Sequence, residues 1–100
     1  MLLAIDIGNT NTVLGIFKDG ELLLSRRLVS SHSKTVDEYW VTVKLLCEDA
    51  EINPADLKAT IIGSVVPILT RNFEGMARKY LALEPIIVSH LLDMNLQLKV

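Results

Sequence analysis

One hundred residues, half of them hydrophobic, suit a single domain with a core of ordinary size and exclude disorder. Ten basic against twelve acidic residues leave a net charge of −2, which gives no basic footprint for nucleic acid or an anionic membrane surface, so any phosphate ligand has to be held locally. No apolar run approaches membrane-spanning length and the start lacks the pattern of a secretory leader, so a cytoplasmic location is expected.

Residues 2 to 7 are mostly apolar and read as a central strand covered on both faces. Thr12 to Lys18 forms a second strand, Asp19-Gly20 is a tight hairpin turn, and Glu21 to Val29 is a third strand, so the chain opens as an antiparallel meander. Gly15 inside the second strand marks a bulge or a place where another backbone or a ligand comes close. Ser30 to Lys34 is a polar loop. Thr35-Val36-Asp37-Glu38 matches a capping box, and the apolar stripe Val36, Tyr39, Trp40, Val43, Leu46 and Cys47 makes a helix that Asn53-Pro54 stops. Cys47 is the one cysteine and reads as a small core residue. Pro54 to Leu57 is a short helical turn.

Ala59 to Val66 is β-branched and continuous, a buried strand parallel to the first after the helical crossover. Pro67 opens a second helix with Leu69, Phe73, Met76, Ala77 and Tyr80 on one stripe, and Gly75 within it is tolerable where something packs closely. Pro85 to Ser89 is a fifth strand. Leu91 to Val100 alternates in part, a pattern open to a further strand. No repeat, linker or low-complexity segment marks a domain boundary within 1–100. The order β-β-β-α-β-α-β is α/β, a mixed sheet of three antiparallel strands with two parallel additions, and it resembles the core of the ribonuclease H-like fold.

The chemistry concentrates where the first strand ends, at Asp6-Ile7-Gly8-Asn9-Thr10-Asn11-Thr12. Glycine lets backbone approach a ligand closely, and the amide and hydroxyl side chains after it can bond phosphate oxygens. Asp6 offers acceptor oxygens suited to a hydrated Mg²⁺, which takes few carboxylates and keeps several waters. The same residues also suit an ordinary hairpin turn in which Asp6 caps nearby amides, and local chemistry leaves both readings open. Arg27 on a half-exposed strand reads as a solvated side chain. His32 and His90 lack metal-ligand spacing and read as surface residues. Ser64 and Pro67 shape a strand-to-helix corner at the carboxyl end of a parallel strand, where α/β sheets place ligands.

The Asp6 to Thr12 stretch at the extreme amino terminus resembles the first phosphate motif of type III pantothenate kinases, in the acetate-kinase, sugar-kinase, Hsp70 and actin superfamily. Arg27-Leu28, Thr35 to Tyr39, Ser64-Val65-Val66-Pro67, and Lys79-Tyr80 followed by Pro85 match in the same order, so the resemblance covers nearly the whole chain. It implies transfer of the γ-phosphate of ATP to pantothenate, the first step toward coenzyme A, with Mg²⁺ and a monovalent cation, K⁺ or ammonium, in a homodimer. It implies that Asp6, Ile7, Gly8, Asn9, Thr10, Asn11, Thr12 and Val13 form the ATP phosphate site, with Asp6 holding Mg²⁺ through water.

The resemblance also implies that residues 1–100 are the amino-terminal ribonuclease H-like, phosphate-binding domain. The presumed catalytic base belongs to a Gly-Ala-Asp-Arg motif that these residues do not contain, so the chain alone is expected to be inactive. Val100 aligns with a position near the pantothenate segment where an aromatic is frequent. The competing expectation is a non-catalytic nucleotide-binding or interaction module complete at 100 residues.

Overall fold

The computed structural model describes residues 1–96 and residue 98, apart from the side chain of Asp93. Strand β1 (Leu2–Ile7) lies at the centre of a five-stranded sheet. It pairs antiparallel with β2 (Asn11–Lys18) on one side and parallel with β4 (Ala59–Ser64) on the other, so that Ile5 lies between Leu14 and Ile62. Strand β3 (Glu21–Val29) adds antiparallel to β2, and β5 (Ile86–Val88) adds parallel to β4, giving the order β3-β2-β1-β4-β5. This is the mixed α/β sheet expected from the sequence.

The β2–β3 hairpin turns through Asp19 and Gly20, both with positive φ (52° and 81°), the two-residue geometry whose twist matches the flanking strands. The irregularity in this pair falls between Ile16 and Phe17 rather than at Gly15, where a Cβ would run into the side chains of Leu98 and Leu22. Gly15 therefore marks close packing by leucine side chains, not the bulge or the backbone or ligand approach expected from the sequence.

Helix α1 (Val36–Asp49) starts as the capping box requires: the Glu38 N–H donates to Thr35 Oγ1 at 3.2 Å and the Thr35 N–H to Glu38 Oε1 at 3.0 Å. It stops short of the expected Asn53-Pro54. Glu51 enters the left-handed region at φ 58°, where its N–H bonds the Glu48 carbonyl and the Ile52 N–H bonds the Cys47 carbonyl, both at 3.0 Å. This is a Schellman closure with glutamate in the place glycine usually takes, so composition gives no signal for it. Asn53 instead caps the 3₁₀ turn Pro54–Asp56, its Oδ1 accepting the Ala55 N–H at 2.9 Å.

Strand β4 ends at Ser64, two residues before the expected end, because the Ser64 hydroxyl accepts the Val66 N–H at 3.0 Å and turns the chain into α2 (Pro67–Met76). The helix then widens into a π-helical turn, Ala77–Leu81, rather than remaining α-helical to Tyr80. The fifth strand is limited to Ile86–Val88, and Leu91–Met94 is a 3₁₀ turn, not a strand.

Both helices cover one face of the sheet. Leu3, Ile5 and Ile7 of β1 join Leu14, Ile16 and Ile62 against Tyr39, Val43, Leu46, Cys47, Leu69, Phe73 and Met76. Tyr39 stacks on Phe73 with centroids 3.8 Å apart, and Val36 fills the space opposite Gly75. Cys47 is fully buried and burial pushes its thiol up, consistent with a core role. The opposite face is thinner: Ala4, Phe17 and Ile61 are covered by Leu91, which packs onto Gly63. No helix among the described residues is long and apolar enough to cross a membrane.

A polar pin closes the two helices at the surface. Asp37 at the start of α1 accepts hydrogen bonds from Lys79 Nζ at 2.8 Å and from the Tyr80 hydroxyl, and Tyr80 stacks on Trp40 with centroids 4.9 Å apart. The hydrogen bonds from Lys79 and then Tyr80 hold the Asp37 carboxyl below the ordinary carboxylate range. A depressed folded-state pKa contributes stability above the unfolded pKa and loses it as pH falls through the folded value.

Two consequences can be measured by urea unfolding. The stability advantage of the natural protein over Asp37→Asn is expected at neutral pH and to shrink on acidification below about pH 4; an advantage that grew there would contradict the sign. Thr60, 1% exposed, carries a hydroxyl with no hydrogen-bond partner among the described residues. Thr60→Val removes that unsatisfied group at nearly constant volume and is expected to be neutral or to stabilise by up to about 1 kcal/mol. A loss of more than about 1 kcal/mol would show that the hydroxyl is satisfied in solution.

Candidate functional site

The carboxyl ends of the parallel strands share one edge of the sheet, because Ile7 of β1 pairs with Ser64 of β4 and Gly63 of β4 pairs with Val88 of β5. Asp6 breaks the pattern of its strand. Its neighbours Ile5 and Ile7 are buried, whereas Asp6 is exposed and lines a cavity of about 240 Å³ with His90, Leu91, Leu92, Leu96 and Leu98. A charged side chain at the end of a buried strand keeps its hydration only by emerging there.

Gly8, Asn9 and Thr10 connect β1 to β2 in a tight turn. The Gly8 N–H donates to the Asn11 carbonyl at 3.0 Å, leaving Asn9 and Thr10 at the exposed tip. A Cβ on Gly8 would sit 3.0 Å from that same carbonyl oxygen, so the position needs glycine for close backbone approach. The segment is thus a hairpin turn in geometry and lies at the edge where α/β sheets hold ligands, so the two sequence readings describe one object.

The expected site residues divide by exposure. Asp6, Asn9 and Thr10 are exposed, and Gly8 and Asn11 are half-buried. Ile7, Thr12 and Val13 have buried side chains, and each is paired in the sheet with a strand on either side. The Thr12 hydroxyl lies 2.9 Å from the Ser30 hydroxyl, Ser30 Oγ donates to the Gly8 carbonyl at 2.6 Å, and the Ser30 N–H donates to the Thr10 carbonyl at 2.8 Å. Ser30, read as plain loop, therefore touches the turn at Gly8 and Thr10 and the start of β2 at Thr12. A hydroxyl residue directly after β3, opposite the start of β2, was the available signal.

His90 is also better placed than its sequence context suggested. It is exposed, as expected, but it follows β5 by two residues and lines the Asp6 cavity. His32 and Arg27 are exposed and away from that cavity lining. Ser64 forms the corner described above, its Oγ also 3.2 Å from the Val66 carbonyl. Val100 lies outside the described residues.

Among the described residues no three His, Cys, Asp or Glu side chains converge as a metal site. A single exposed carboxylate suits a cation that retains most of its water, which is the Mg²⁺ pattern, and does not suit a dehydrated Zn²⁺ or Ca²⁺ site. A larger groove of about 580 Å³ runs between the start of α1 and the later part of α2, and there Lys79 pairs with Asp37 and Asn72 Nδ2 bonds the Lys34 carbonyl at 2.8 Å. The Asp6 edge is the better candidate because its acceptor and the turn beside it face solvent.

Comparison with known proteins gives a consistent result. The family model for type III pantothenate kinase matches residues 2–100. The type III pantothenate kinase of Finegoldia magna is 49% identical over 88 residues, covering 88% of this chain and 34% of the relative. That of Thermomicrobium roseum is 40% identical over 100 residues, covering 100% of this chain and 39% of the relative. The chain thus spans well under half the length of these relatives.

Among solved structures, YeaZ from Pseudomonas aeruginosa superposes with a TM-score of 0.64 at 23% identity, covering 90% of this chain and 43% of that one. A Bacteroides thetaiotaomicron protein with an actin-like ATPase fold gives 0.62 at 11% identity, covering 94% and 35%. At these identities the likeness concerns the fold, and it agrees with the sheet described above. Because the family model matches residues 2–100, the chain belongs to the type III pantothenate kinase family.

Proposed function

We propose that residues 1–100 form the phosphate-holding, amino-terminal domain of an ATP-dependent pantothenate kinase, the first step toward coenzyme A. The observation that carries this reading is the emergence of Asp6 from a buried strand beside a turn whose exposed tip is Asn9-Thr10. Phosphoryl transfer asks the protein for positioning and charge neutralisation more than for covalent chemistry. The Asn9 and Thr10 backbone amides and side chains supply donors for phosphate oxygens. Asp6 would hold Mg²⁺ through water, and the bound ion would neutralise charge on the transferring group.

The acceptor is the primary hydroxyl of pantothenate, whose proton must pass to a base as the oxygen attacks phosphorus. The family resemblance assigns that base to a Gly-Ala-Asp-Arg motif absent from these residues, and the chain alone is accordingly inactive on this reading. A monovalent cation, a homodimer and a cytoplasmic location belong to the same proposal and rest on the resemblance.

The test is Asp6→Asn in the natural full-length protein, followed by ADP release with pantothenate as acceptor. The variant keeps the shape and loses the charge. The expected result is a fall in turnover of about a hundredfold or more with an unchanged melting temperature. Turnover within about twofold of the natural protein would remove Asp6 from the site.

A further inference from the structure

We propose that Ser30 is a positioning residue of the phosphate loop: it fixes the Gly8–Asn9 peptide so that the Asn9 N–H is presented as a donor to phosphate. The proposal rests on the reading of this loop as a phosphate site and adds to it a residue outside the loop.

The direction of each hydrogen bond follows from proton counting. A carbonyl oxygen only accepts, so the single hydroxyl proton of Ser30 is spent on the Gly8 carbonyl at 2.6 Å. In the 2.9 Å contact between the two hydroxyls, Thr12 must then be the donor and Ser30 the acceptor. The relay runs from Thr12 to Ser30 to the Gly8 carbonyl, and the Ser30 N–H holds the Thr10 carbonyl at 2.8 Å. Both carbonyls flanking Asn9 and Thr10 are therefore drawn toward Ser30.

Among the described residues no peptide bond is cis, so the Gly8 carbonyl and the Asn9 N–H point in opposite directions across one planar unit. With the carbonyl held by Ser30, the Asn9 N–H is turned away from it, and among the described residues it has no acceptor in the chain. An exposed turn amide held in one orientation is a pre-organised anion donor, because its orientation is fixed before the ligand arrives. The same relay gives Thr12 a different role from direct contact. Its proton is committed to Ser30 and its side chain is 2% exposed, so it supports the loop from inside.

The experiment is calorimetric titration of MgATP into the natural full-length protein and into S30A, S30C, S30T and T12V, with the melting temperature of each. S30A is expected to weaken MgATP binding about tenfold, as loss of one oriented donor to a charged group would. S30T restores the hydroxyl and is expected within about twofold of the natural protein, and T12V, which leaves the Ser30 to Gly8 bond in place, is expected to weaken binding less than S30A. If S30A does not fold, S30C keeps the volume with a far weaker donor and carries the same expectation.

Unchanged affinity in folded S30A or S30C would overturn the proposal. So would a T12V loss exceeding that of S30A, which would mean that Thr12 meets phosphate directly. A natural protein that binds no MgATP would overturn the phosphate-loop reading itself. Binding by the natural protein with unaffected serine variants would overturn only the role of Ser30.

Discussion

The double pairing of β1, antiparallel to β2 and parallel to β4, is the constraint from which the remaining elements take their places. β1 is also covered on both faces, and its Leu3, Ala4 and Ile5 are fully buried. The antiparallel partner needs only a turn to reach it. The parallel partner needs a crossover, which α1 supplies while covering the helix-side face. Because β1 and β4 run together and in register, their carboxyl ends open at one edge, and Asp6 emerges there.

On the proposed reading, that placement lets a chain of net charge −2 meet a phosphate ligand. No basic patch is required if the anion is met by turn amides, hydroxyls and a hydrated cation on a carboxylate. Such a site depends on orientation, since neutral donors contribute only when they are already aimed at the charge. The Ser30 relay would provide this aim from the residue that follows β3, a strand two places from β1 in the sheet. The loop is therefore a joint product of β1, β2 and β3.

Much of this was legible in the sequence because the signals were local. Alternation and β-branching marked the strands, Asp19-Gly20 the hairpin, and Thr35 with Glu38 the start of α1. The features that escaped were those set by tertiary contact. Glu51 closes α1 in a conformation that glycine would have advertised, and the π-helical turn at Ala77–Leu81 has no sequence signature distinct from the helix before it. At the site, the exposed turn could be read directly. The burial of Thr12 against Ser30 and the approach of His90 to the Asp6 cavity required the three-dimensional register of strands distant in sequence.

The central claim is that nucleotide phosphate is held at the β1–β2 turn and not in the larger groove between α1 and α2. Amide-resolved NMR of the natural protein on addition of MgATP tests it most directly. The account expects the largest shift changes at Gly8, Asn9 and Thr10, with the amides from His32 to Asp37 and those of Asn72 and Lys79 little moved. Large changes confined to the amides of that groove, with the turn unaffected, would contradict it.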